Sequence, residues 1–110
     1  MSSITFKFKK ELLVLMNDNY SDLKNKIVEF TAKLFNKKEE EIMVDFEEWQ
    51  IFDGKRDILI RAETSKKNIN LLSIWSDGIK KIILESNLKN LKIGIKTFIV
   101  DSNWQEFEVK

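Results

Sequence analysis

The 110-residue chain has no cysteine, no histidine and no proline, and only three glycines. Without cysteine there are no disulfides, no thiolate nucleophile and none of the common zinc clusters. Without histidine, Ser-His-Asp and Cys-His mechanisms and histidine-ligated metals are excluded. Charge of one sign is also missing. Nineteen Lys and Arg residues face 18 Asp and Glu, leaving a formal net charge of +1. The two signs are interspersed, so there is no large field to attract nucleic acid or an anionic membrane.

No apolar run approaches the ~20 residues that span a bilayer. The first six residues lack the basic and apolar regions of a signal peptide. The sequence therefore points to a cytoplasmic location, with no metal and no cofactor. The chemical groups that remain are carboxylates, lysines, Arg56 and Arg61, one tyrosine, hydroxyls and the terminal amine.

What is present reads as a globular protein. Hydrophobic residues make up 43% and charged residues 34%, enough for one core and a single domain over residues 1–110. Ile4, Phe6 and Phe8 alternate with Thr5, Lys7 and Lys9, the period of a half-buried strand. Glu11 to Met16 is more continuously apolar, and extends that strand or opens a packed loop. Asn17-Asp18-Asn19 reads as a turn, with Asn19 or Ser21 capping the helix that follows.

Leu23, Ile27, Phe30 and Leu34 recur at helical spacing, and that helix stops near Asn36-Lys37. Ile42, Val44 and Phe46 make a second strand. Asp53-Gly54 signals a turn, and Ile58, Ile60 and Ala62 share one face of a third strand, with Leu59, Arg61 and Glu63 on the other. Asn68 or Asn70 caps a second helix, whose apolar face runs from Leu71 through Trp75, Ile79 and Ile83. Gly78 within that helix marks a close approach. Leu91, Ile93, Ile95, Thr97 and Ile99 alternate in a fourth strand, and an aromatic tail contains Trp104 and Phe107.

The expected fold is α+β: two β-α-β units forming a four-stranded mixed sheet, with two helices on one face. Phe98, Val100 and Leu59 fall on the opposite parity. That apolar content predicts that the helix-free face is also covered, by other copies of the chain.

Three stretches carry a family resemblance. They are Phe35 to Val44, Trp49 to Gly54 with Asp57, and Ile95 to Phe107 with Asp101, Asn103 and Trp104. In their order the chain resembles the tautomerase superfamily. The resemblance implies a homotrimer with small-molecule pockets at subunit interfaces. It also implies enol–keto isomerisation by an amino-terminal proline exposed when Met1 is removed, acting on a small carboxylate or enol. Here Ser2 stands in place of that proline. The amine of Ser2 is the corresponding candidate base, and weakened or lost activity is the expectation.

The resemblance places a pocket lysine at Lys37. On its own, a lysine at that position is better accounted for as a solvated side chain favoured by the dipole at a helix C-terminus. Arg61 binds an anion, or pairs with Glu63 or a neighbouring strand's acid. Phe98 and Trp104 complete the candidate substrate-binding set as walls of an interface pocket. Glu40, Glu41 and Ile42 stand where relatives hold a substrate arginine. Gly94 and Lys96 replace a pocket tyrosine and asparagine. The alternative to an enzyme is a non-enzymatic ligand- or protein-binding module with a ferredoxin-like sheet.

Overall fold

The computed structural model describes residues 2–49, 55–100 and 107–110. Four strands, β1 (Ser2–Phe8), β2 (Ile42–Glu48), β3 (Ile58–Thr64) and β4 (Ile93–Ile99), alternate with two helices, α1 (Leu13–Phe35) and α2 (Leu72–Leu84). The sheet order is β2-β1-β3-β4. β1 pairs in parallel with β2 and β3 in parallel with β4, while the central β1–β3 pair is antiparallel. This is the α+β arrangement of two β-α-β units that the alternating pattern predicts.

The core forms where the strand period of two meets the helical period of 3.6. Ile4, Phe6 and Phe8 of β1, Ile42 and Val44 of β2, and Ile58, Ile60 and Ala62 of β3 are buried. They form one cluster with Met16, Leu23 and Ile27 of α1 and Trp75, Ile79 and Ile83 of α2. Both helices therefore cover the same face of the sheet. Each large apolar side chain buried there contributes about 1.5–3 kcal/mol. The rings of Phe6 and Phe46 stack at 4.8 Å, and Tyr20 meets Phe46 edge-on at 4.9 Å.

The helices approach each other closely. Trp75 Nε1 donates to Thr31 Oγ1 at 3.0 Å inside the core. A Cβ on Gly78 would lie 2.0 Å from Phe30 Cζ, so glycine admits the ring between the helices, as its position within α2 suggests.

Three sequence expectations are corrected. Glu11 to Met16 neither extends β1 nor forms a loop: Lys10–Leu12 is a 3₁₀ turn leading straight into α1. Asn17-Asp18-Asn19 is not a turn, and neither Asn19 nor Ser21 is a cap. Asn19 is buried mid-helix, its Nδ2 donating to the Leu15 carbonyl at 2.8 Å, which satisfies the amide within the helix. Asn68 and Asn70 do not cap α2 either. They lie in a 3₁₀ turn, Lys66–Leu71, and Asn68 turns inward.

The helix ends follow the sequence more closely. Asn36 takes a left-handed conformation (φ 53°) just past α1, and the Lys37 N–H reaches back to the Ala32 carbonyl at 2.9 Å, a glycine-like role that asparagine tolerates. After α2, Ser86 Oγ donates to the Ile83 carbonyl at 2.5 Å and accepts from the Leu88 N–H at 3.1 Å.

The helix-free face mixes charged and apolar side chains. Its parity places Lys7, Asp45, Glu47, Arg61, Glu63 and Lys96 among Met43, Leu59 and Phe98. It is a charged face with a few apolar positions, and Val100 lies just past the end of β4. The Asp53-Gly54 turn lies outside the described residues.

Candidate functional site

At one end of the sheet three polar side chains replace the apolar core. Ser2 opens β1 on the inward parity, and the antiparallel register of β1 with β3 sets it opposite Thr64. Ser2 Oγ lies 2.8 Å from Thr64 Oγ1, and Asn68 Nδ2 donates to the same Thr64 oxygen at 2.7 Å. All three residues are buried, with Ser2 at 5% exposure. A buried hydroxyl without a partner is costly, and this chain of contacts satisfies each member.

Asn68 also lines a cleft of about 360 Å³ formed by Leu34, Phe35, Asn36, Lys37, Lys67 and Leu71. The cluster at Ser2 thus touches a cavity with two lysines and an apolar wall. Lys37 is brought there by the left-handed Asn36 at the end of α1, and its Nζ stands 3.9 Å from Glu41 Oε2. At that separation and partial exposure the ion pair is weak, which leaves the ammonium available to a ligand. Among the described residues neither a carboxylate nor an imidazole lines the cleft. No group of acidic residues suited to a metal ion occurs among the described residues.

The other candidate residues gather elsewhere. Arg61 lies on the helix-free face, its Nη2 3.2 Å from Glu63 Oε1 and its guanidinium 4.4 Å from the centre of the Phe98 ring. Lys96 Nζ is 5.3 Å from the same ring. The pairing with Glu63 is the intrachain alternative that the sequence left open. Arg61 Nε is enclosed without a hydrogen-bond partner among the described residues. A shallow depression of about 220 Å³ joins Arg61 and Glu63 to Ser3, Thr5, Lys7 and Glu47. Within one chain, then, Ser2 and Lys37 belong to one end of the helix-covered layer, and Arg61 and Phe98 to the opposite face. Trp104 lies outside the described residues.

Sequence reasoning missed Thr64, Lys67 and Asn68. Thr64 carried a usable signal: it continues the inward parity of Ile58, Ile60 and Ala62 as a polar residue. Asn68 carried none beyond its polarity, because its link to Ser2 runs through Thr64, 62 residues from Ser2 along the chain. A larger groove of about 970 Å³ lies between α2 and β4, away from Ser2, and its wall is predominantly aliphatic. Chemistry and cavity size therefore point to different places, and the reactive groups lie at the smaller one.

No family model matches the chain, and no curated protein matches it in sequence. Solved structures do. The macrophage migration inhibitory factor-like protein of Entamoeba histolytica superposes with a TM-score of 0.64 at 10% identity, covering 97% of this chain and 93% of that one. The inhibitory factor homologue of Prochlorococcus marinus gives 0.60 at 18% identity, over 96% and 95%. A domain of unknown function from Sebaldella termitidis gives 0.59 at 14% identity, over 99% and 98%. At such identities the likeness is one of fold. The chain has the tautomerase-like fold of macrophage migration inhibitory factor and its homologues.

Proposed function

We propose that this protein is a tautomerase-like, ligand-binding homotrimer of the cytoplasm with interface pockets that take a small carboxylate or enol, its enol–keto isomerase activity weakened or lost. The observation that carries the reading is the buried Ser2, hydrogen-bonded through Thr64 to Asn68 at the head of a cleft holding Lys37 and Lys67. Two ammonium groups suit a carboxylate, while Leu34, Phe35 and Leu71 suit an apolar body.

In this reading Met1 is removed and the Ser2 amine is the candidate base. A primary α-amine has an ordinary pKa of about 7.7–8.0, so a share of it is neutral and proton-accepting near neutral pH. Ser2 lacks the secondary amine that the resemblance expects. Arg61 and Phe98 of a neighbouring copy, with Trp104, would complete the pocket wall across the interface.

The test combines intact mass, to read Met1 removal, with ketonisation of phenylenolpyruvate. The wild-type chain is expected to be slow or silent, and Ser2→Pro to gain about 10²-fold or more, the scale of a correctly placed general base. Calorimetry with phenylpyruvate should show binding that weakens in Lys37→Ala. A chain that neither turns over nor binds the carboxylate, and sediments as a clean monomer, overturns the reading. The alternative, a protein-binding module, is favoured by one observation: Leu84 stands 81% exposed beside the aliphatic α2/β4 groove.

A further inference from the structure

Ser2 differs from a proline in more than basicity. Once Met1 is gone its nitrogen is a primary amine, and a primary amine condenses with a ketone to a neutral imine. The nitrogen of a proline has one hydrogen fewer, so its condensation stops at a charged iminium or turns to an enamine. Imine formation releases water, and the product persists where water is scarce. Ser2 is buried with Thr64 and Asn68. Its 5% exposure is that of a chain still carrying Met1, whose removal bares the nitrogen.

The hydrogen bonds that hold Ser2 also carry a cation. Thr64 Oγ1, in contact with Ser2 Oγ, accepts from Asn68 Nδ2, and the Asn68 N–H donates to the Ser65 carbonyl at 3.0 Å. These two bonds from Asn68 pin the turn that brings Lys67 to the lining of the cleft. Lys67 forms no ion pair among the described residues, whereas Lys37 stands 3.9 Å from Glu41 Oε2. Lys67 is thus the ammonium that a carboxylate can take without displacing an acid. A 2-oxo acid answers both groups. Its carboxylate suits the ammonium, and its ketone, made electrophilic by the adjacent carboxyl, suits the amine.

We propose that the Ser2 amine captures 2-oxo acids covalently, as an imine, with the carboxylate held by Lys67. The nitrogen bonds to the ketone carbon, the ketone oxygen leaves as water with the two amine hydrogens, and C=N replaces C=O. Hydrolysis reverses the step, so no oxidant or reductant enters it. The capture rests on the proposed function for the loss of Met1 and for a carboxylate-binding cleft, and it uses no isomerase activity.

The test incubates the intact chain with pyruvate and cyanoborohydride, which reduces an imine to a stable secondary amine. The expected product is a chain lacking Met1 that has gained one pyruvic acid less one oxygen. Fragmentation of the tryptic peptide spanning residues 2–7 should place that mass on Ser2. Labelling of Ser2 should run several-fold faster in the folded chain than in the chain unfolded in guanidinium chloride. In the folded chain it should also run several-fold faster with pyruvate than with methyl pyruvate, whose ketone has no charge beside it. Lys67→Ala, at an exposed position, should lower the folded-chain rate several-fold, and Lys67→Arg should keep it. A rate no higher in the folded chain than in the unfolded one overturns the proposal. Equal rates with acid and ester, or a rate unchanged in Lys67→Ala, overturn it as well.

The two readings fail differently. A chain without Met1 that binds phenylpyruvate, yet shows no folded-state labelling, loses the imine and keeps the pocket. A chain whose intact mass retains Met1 loses the imine and the Ser2 base together.

Discussion

The two faces of this sheet are built from the same four strands and alternate residue by residue, yet they obey different rules. On the helix-covered face Phe6, Ile58 and Ile60 are fully enclosed, and only at its end does polarity enter, as Ser2 and Thr64 bonded to Asn68. On the other face Lys7, Asp45, Glu47, Arg61, Glu63 and Lys96 remain in reach of water. The first face holds the fold together and, at one end, the candidate site. The second can change its charges at little cost to the monomer, and so is available for recognition.

The sharpest way to break this comparison is to remove one side chain from each face at neighbouring positions. Phe6→Ala deletes a ring packed against Phe46 and the helices and should destabilise by about 3–5 kcal/mol. Thr5→Ala, one residue away on the outer face, should stay within about 0.5 kcal/mol. Denaturant unfolding of both variants reads the difference. Comparable losses would mean that the outer face is as tightly packed as the inner one.

A second change tests the polar end of the inner face. Thr64→Val keeps the shape but removes the oxygen shared by Ser2 and Asn68, leaving two buried polar groups unmatched. The expected loss is about 1–3 kcal/mol, read by thermal or denaturant melts. Because the same oxygen holds Asn68 beside Lys37 and Lys67, phenylpyruvate binding should weaken in parallel. A neutral effect on stability would show that water replaces the threonine hydroxyl, and that this end is wetter than its burial implies.

The same contrast explains what the sequence disclosed. Period-two alternation fixed the strands closely, because one enclosed face imposes apolar residues at Ile4, Phe6, Phe8, Ile58 and Ile60. The first half of α1 was hidden: its buried stripe runs Met16, Asn19, Leu23, Ile27, and the asparagine interrupts the apolar pattern inside a turn-like Asn-Asp-Asn triplet. Its amide is satisfied by a carbonyl one turn back, which local propensity does not reveal. On the helix-free face the parity of Leu59, Arg61 and Glu63 was legible, whereas what covers that face depends on contacts beyond a single chain. Ser2 was legible only through the family resemblance. Its partner Thr64, through which it connects to Asn68, became visible with the antiparallel β1–β3 register, a long-range property of the chain.

The smallest expected effect belongs to the outer parity, at the opposite end of the sheet from Ser2. Lys9 and Asp57 continue that parity just beyond β1 and just before β3. Lys9 Nζ lies 2.9 Å from Asp57 Oδ1, and the Lys92 N–H donates to Asp57 Oδ2 at 2.9 Å. The Lys92 backbone N–H and then the Lys9 ammonium hold the Asp57 carboxyl below its usual pKa. A carboxyl that binds its proton less readily in the folded chain than in the unfolded one stabilises the fold above the unfolded pKa, near 3.9. That contribution fades as pH falls from there through the lower folded value. Solvent screening at this exposed site keeps it small. Melting temperatures of wild type and Asp57→Asn should therefore differ slightly at pH 7 and converge as the medium is acidified below about pH 4. A gap that persists undiminished at the acid end would assign the stabilisation to the neutral hydrogen bond, and would leave the charges of the outer face without influence on the folding of the monomer.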